Sequence, residues 1–261
     1  MTKYIEVTNN NGTVSIDDTT ARLVKTRTIT FNDDAPFYVP SQDVYYLRGY
    51  ISDKYIMGAL ATMYIDLSSN ESLVAIRALS KRENVAVLGG FVSPKRYMIA
   101  LMSSWENNNL YMNDFAIDVY GTVPNTEIEN VGMEIFDANG NKIFDSNYYA
   151  MDVVNTYSII NTKDIKTFTD EPDTYEIGGY NRTNYAIIMS SCINKVILHA
   201  RRTQFSGPIG SIQYGAVFGD SIRLEKRINE YLSFVYSGGT WTPQSYSVNS
   251  SGIILNTQNI S

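Results

Sequence analysis

The chain has 261 residues, 44% hydrophobic and 18% charged, with a net charge of −6. That balance is globular rather than disordered, and the length allows one or two domains whose cores need no disulfide or metal. The acidic balance argues against a nucleic-acid binder and against docking on anionic lipid, while the single cysteine, Cys192, excludes an internal disulfide and a Cys-rich zinc site.

In chain order, the first signal is a hairpin. Tyr4 to Val7 alternates in polarity, Asn9-Asn10-Asn11-Gly12 is a turn able to take positive φ, and Thr13 to Ile16 returns as the second strand. Short β-branched and aromatic runs follow at Arg22 to Phe31, Val44 to Tyr50, Tyr55 to Leu67, Val85 to Val92, Tyr97 to Met102 and Asp114 to Tyr120. The segment Asn70 to Leu79 fits either a short capped helix or a strand, and strand is the favoured reading. Gly121-Thr122-Val123-Pro124-Asn125-Thr126-Glu127 reads as a boundary loop. A second hairpin opens with Met133 to Phe136, turns at Asp137-Ala138-Asn139-Gly140 and returns through Asn141 to Phe144. Further runs lie at Tyr148 to Ile160, Thr174 to Ile177, Tyr185 to His199, Ser211 to Phe218, Tyr231 to Tyr236 and Ser251 to Leu255. Arg223, Glu225, Lys226, Arg227 and Glu230 form a mixed-sign cluster that reads as a solvated face.

The chain echoes itself. Ile5-Glu6-Val7, Asn11-Gly12 and Ile16-Asp17 recur 128 residues later as Met133-Glu134-Ile135, Asn139-Gly140 and Phe144-Asp145. Gly49-Tyr50 with Tyr55 is echoed by Gly179-Tyr180 with Tyr185, and more weakly Tyr97 to Ser103 by Tyr231 to Ser237. The expected fold is therefore all-β: two tandem, duplicated antiparallel β-sandwich domains, 1–125 and 126–261. Asp17 and Asp145 sit at equivalent strand exits, where an aspartate serves nearby backbone N–H groups.

Chemistry is sparse. His199 is the only histidine, which excludes multi-histidine metal sites, and no Gly-x-Ser-x-Gly elbow accompanies it. A core or edge-strand histidine is the expected role, and a buried inert thiol is expected of Cys192. The glycine pairs Gly89-Gly90, Gly178-Gly179 and Gly238-Gly239 read as turns or bulges, not phosphate cradles. Asp17-Asp18, Asp33-Asp34 and Asp170-Glu171 are carboxylate pairs in turn contexts, where they serve the backbone rather than hydrolysis or calcium. No catalytic residue, metal or cofactor is expected.

The outlier is tyrosine: 20 Tyr against 10 Phe and 2 Trp. Tyrosine suits half-buried sheet faces and wet interfaces alike. The binding candidates are Tyr50, Tyr55, Trp105, Tyr180, Tyr185 and Trp241, with cross-strand packing as the competing role for the tyrosines. Met1 to Glu6 lacks a signal-peptide core, and no run has the ~18–20 apolar residues of a membrane span. The expectation is a protein made in a cytoplasm, without membrane insertion.

Gly132-Met133-Glu134-Ile135-Phe136-Asp137-Ala138-Asn139-Gly140-Asn141-Lys142-Ile143-Phe144-Asp145-Ser146 resembles the opening of small β-rich proteins encoded among the tail genes of tailed bacteriophages. The first unit carries a degraded version, with Thr8 in place of the Phe and Asp18 in place of the Ser. The resemblance implies a non-enzymatic virion protein near the tail tip, fibre or collar, made in the bacterial host cytoplasm. Its implied partners are other virion proteins and copies of itself, as a trimer or hexamer. A host-surface glycan or protein is the partner in the alternative, receptor-binding reading.

Overall fold

The computed structural model describes residues 6–8, 14–17, 22–30, 49–51, 54–56, 58–104, 114–124, 132–137, 139–163, 174–190, 198–202, 205–230 and 246–258. Within them the alternating and β-branched runs become strands, and no α-helix occurs. The first part of the chain holds β1 (Glu6–Thr8), β2 (Val14–Asp17), β3 (Val24–Thr30), β4 (Gly49–Ile51), β5 (Lys54–Ile56), β6 (Gly58–Asp66), β7 (Glu71–Ala78), β8 (Arg82–Ser93), β9 (Arg96–Ser104) and β10 (Phe115–Gly121). The rest holds β11 (Glu134–Phe136), β12 (Lys142–Asp145), β13 (Val153–Lys163), β14 (Thr174–Asn181), β15 (Tyr185–Met189), β16 (Leu198–Arg202), β17 (Phe205–Phe218), β18 (Ser221–Glu230) and β19 (Tyr246–Asn256).

Two antiparallel sheets carry the fold. Sheet I has the order β13-β19-β15-β7-β10-β3, and sheet II the order β14-β18-β17-β8-β9-β6 with β16 beside β17. Three hairpins, β1-β2, β4-β5 and β11-β12, stand as separate two-stranded sheets. Each large sheet takes three strands of its main path from before residue 125 and three from after it. The seams are β7 against β15, where Ile76 faces Ile187, and β8 against β17, where Val87 faces Ala216.

The core lies between the sheets. Val74, Ile76, Phe115, Ile117, Val119, Ile187 and Ile254 point inward from sheet I. Val85, Val87, Tyr97, Ile99, Leu101, Phe218, Ile222 and Leu224 meet them from sheet II. This is the two-layer solution of a β-sandwich, in which alternate residues of each strand bury one face. One cluster takes residues from both halves of the chain, so the halves share a core. Sheet I also buries part of its outer face: Ala75, Tyr120, Ala186, Ile188 and Leu255 form a second cluster, capped by Met151.

Several sequence expectations resolve in particular ways. The ambiguous segment 70–79 is strand β7, whose Val74, Ile76 and Ala78 enter the main core while Ala75 faces the second cluster. The mixed-sign cluster lies on strand β18, where Arg223 pairs with Glu225 on the face opposite the buried Ile222 and Leu224. The run Tyr185 to His199 supplies β15 to sheet I and β16 to sheet II. The boundary loop begins inside structure, because Gly121 ends β10 and Val123 is buried.

Candidate interaction surface

The segment 132–146 folds as the hairpin β11-β12, and its turn explains its composition. One Asp137 carboxylate oxygen accepts from the backbone amides of Asn139 and Asn141, both at 2.8 Å, and the other accepts from the Asn141 side chain. Gly140 takes φ of 80°, a left-handed conformation that favours glycine. The Asn141 side chain and the turn amides hold the Asp137 carboxyl below its usual range. Ser146 closes the hairpin, accepting from the Met133 amide at 2.8 Å.

Register ties this hairpin to the first. Glu6 faces Asp17, Val7 faces Ile16 and Thr8 faces Val14, with an irregularity between Val7 and Thr8. Glu134 faces Asp145, Ile135 faces Phe144 and Phe136 faces Lys142, with the irregularity between Ile135 and Phe136. Every position in the second set is 128 residues beyond its counterpart, as in the sequence echo. The Tyr echo has no such parallel: Tyr50 faces Tyr55 within the hairpin β4-β5, whereas Tyr180 and Tyr185 lie on β14 and β15, in opposite sheets.

The buried end of β11-β12 is ionic. Lys142, its side chain 4% exposed, contacts Glu134 and lies 3.3 Å from the fully buried Asp145. Asp145 also accepts from the Asn147 amide at 2.9 Å, the strand-exit role expected of it. Burial works against the Asp145 charge, but the Asn147 amide and Lys142 outweigh it and lower its pKa. The Glu134 bond raises the pKa of Lys142 against the effect of burial.

After the hairpin, residues 149–152 form a strap on sheet I. The Lys25 amide donates to Tyr149 O and the Met151 amide to Leu23 O, and Val24 bridges Ala150. Met151 then packs on the second cluster, and the Asn256 amide donates to Asp152 O. The strap leads into β13, an end strand of sheet I. Met133, Phe136, Tyr149, Val153 and Val154 are each 41–49% exposed, so this hairpin, strap and strand contain a concentration of apolar side chains in contact with water.

The opposite margin of sheet I is charged. Asp118 on β10 is fully buried, accepting from Arg77 Nε at 2.8 Å and from Thr28 Oγ1 at 2.5 Å. Glu71 at the start of β7 accepts from Arg27, Thr26 and the Ser68 amide. These carboxylates are committed to ion pairs and turns. Among the described residues no group of three His, Cys, Asp or Glu side chains is placed to hold a metal ion.

The sequence-predicted binding residues do not assemble into one site among the described residues. Tyr180 and Tyr185 are half-buried, stack edge-to-face at 5.0 Å and pack against the main core. Tyr50 and Tyr55 face each other across β4-β5. Trp105, Trp241, Cys192 and the acidic pairs Asp33-Asp34 and Asp170-Glu171 lie outside the described residues. His199 lies on β16, opposite Pro208 of β17. Sequence reasoning passed over β13 as a surface; its signal was an uncharged strand run from Val153 to Thr162.

No protein-family model matches the chain, and neither a curated protein nor a solved structure does.

Proposed function

We propose that this chain is a non-catalytic structural protein of a tailed-bacteriophage virion that assembles with tail or collar components. The observation that carries the reading is the hairpin of residues 132–146. Its phage-like residues are the ones that build the Asp137 turn, place Gly140 at positive φ and close the hairpin through Ser146. The exposed apolar side chains that follow it supply surface for protein partners.

We further propose that the chain arose by tandem duplication. The identical register of β1-β2 and β11-β12 at an offset of 128 supports this, as does the mirrored order of strands about the β7-β15 and β8-β17 seams. Duplication gives one chain two related surfaces, a property suited to particles built on symmetric rings.

The test is co-assembly. The purified chain is mixed with separately purified phage tail and collar proteins, and the mass of each mixture is measured by light scattering. The proposal expects a defined complex with at least one of them. Failure to join any of them, together with binding to a host glycan or surface protein, would replace it with the receptor-binding reading.

A further inference from the structure

We infer that β13 is a self-association edge, on which a second copy of this chain adds its own β13 antiparallel to extend sheet I across a two-fold axis. The inference deepens the assembly reading above and rests on it for biological context.

Among the described residues, five strands of the two large sheets have a single partner: β3, β13, β6, β14 and the short β16, which carries Arg201 and Arg202. An end strand offers unpaired N–H and C=O groups, a template for another strand unless it is blunted. β3 carries Lys25 and Arg27 and is bridged at Val24 by the strap. The ladder of β14 breaks between Glu176 and Asn181, where Gly178 and Gly179 take φ of 115° and 71°. β6 ends on Asp66, which pairs with Arg96. β13 is the longest of the five at 11 residues and carries no charged residue before Lys163. Its pairing with β19 is irregular between Val153 and Asn155 and regular from Asn155 to Lys163.

The occupant follows from the strand itself. A chain of net charge −6 repels its copies, so self-contact is favoured where the surface is uncharged, as it is here. The segment Asn155-Thr156-Tyr157-Ser158-Ile159-Ile160-Asn161 is uncharged throughout and has an asparagine at each end. A two-fold axis at Ser158 sets position 155 opposite 161 and 157 opposite 159. Opposed positions of antiparallel strands share a face, so the half-buried, core-packed Tyr157 and Ile159 of one copy would lie beside those of the other. The exposed Thr156 and Ser158 stay on the solvent side. Such a contact is isologous and self-closing. The chain already joins its own halves this way, by antiparallel pairing of β7 with β15.

The test uses the full chain and two substitutions at the exposed Ser158. Light scattering of the native protein is expected to give an even-numbered assembly, a dimer at about twice the 29.4 kDa chain or a hexamer. Ser158→Lys places two like charges at the axis and is expected to halve a dimer, or to reduce a hexamer to trimers, with an unchanged circular dichroism spectrum. Ser158→Cys, in a background with Cys192→Ser, is expected to form an intermolecular disulfide on mild oxidation, because opposed Cα atoms lie about 4.5–5.5 Å apart. A native monomer or trimer would overturn the inference, as would an even assembly that Ser158→Lys leaves intact and Ser158→Cys fails to cross-link. A native monomer that still joins tail proteins removes the edge pairing and leaves the phage reading standing. An edge-paired dimer that joins none of them does the reverse.

Discussion

The Tyr97 hydroxyl donates to the carbonyl oxygen of Met189 at 3.0 Å, joining sheet II to sheet I and the first half of the chain to the second. Tyr97 is fully buried, and it sits over Gly89, where an added Cβ would lie 2.3 Å from the hydroxyl oxygen. Tyr97→Phe should therefore cost about 1–1.5 kcal/mol, the net value of one buried hydrogen bond. Gly89→Ala should cost about 1–3 kcal/mol by overpacking. The double variant should cost less than the two losses added, since removing the oxygen relieves part of the clash. Urea denaturation of the three variants checks this, and strict additivity would contradict the packing described.

Asp118 is fully buried in the sheet, where it accepts from Arg77 and Thr28. Its charge also favours the protonated form of Lys25, against the burial that lowers that lysine's pKa. Removing the guanidinium with Arg77→Met leaves a buried carboxylate short of its main partner, at an expected cost of about 3 kcal/mol. Pairing that change with Asp118→Asn should recover most of the loss, because the desolvated charge is gone. Thermal melts of the single and double variants distinguish an ion pair that neutralises a buried charge from one that merely decorates the surface.

Acid should loosen the protein at identifiable groups. Burial opposes the charge of Glu71, yet the Ser68 amide, Arg27 and Thr26 outweigh it and hold its pKa below the ordinary 4.5. Asp145 is lowered from 3.8 by the Asn147 amide and Lys142, again against burial. A carboxylate with a depressed folded-state pKa contributes stability that is fully present above its unfolded value and lost as pH falls through the folded one. Stability should thus decline as pH drops below about 4.5, and Glu71→Gln should flatten the upper part of that decline. A pH series of denaturation midpoints tests the sign: a native protein no less stable at pH 3 than at pH 6 would refute it.

The turn of β11-β12 offers a local test. Asp137→Ala removes the acceptor of the Asn139 and Asn141 amides, so both should exchange with deuterium faster while the core strands are unaffected. Gly140→Ala forces a side chain into positive φ and should cost about 1 kcal/mol. Unchanged exchange at both amides in Asp137→Ala would mean that the turn is held by something other than the aspartate.

Much of this architecture is legible in the residues themselves. The Asp137 to Asn141 turn is local: side chain, backbone and glycine lie within five residues, so composition alone specifies it. The strands β3, β8, β9 and β10 follow from alternation and β-branching. β18 is less legible, because Arg223, Glu225 and Arg227 crowd the run that holds the buried Ile222 and Leu224. The Tyr180 and Tyr185 pair resembled a binding feature by type, and packs on the core because its rings meet each other across the β14-β15 connection.

The sequence by itself determined the all-β class, the positions of most strands and the two matching hairpins, since each depends on neighbours a few residues apart. Only the tertiary structure decided which strands pair. Alternation tells a strand which face to bury and is silent about its neighbour. Nothing local in Ile76 or Ile187 says that they meet, and nothing local in Val153 to Lys163 says that this strand is left at the end of a sheet. Those choices come from closing one core with strands from both halves, a long-range condition that is met only when the whole chain has folded.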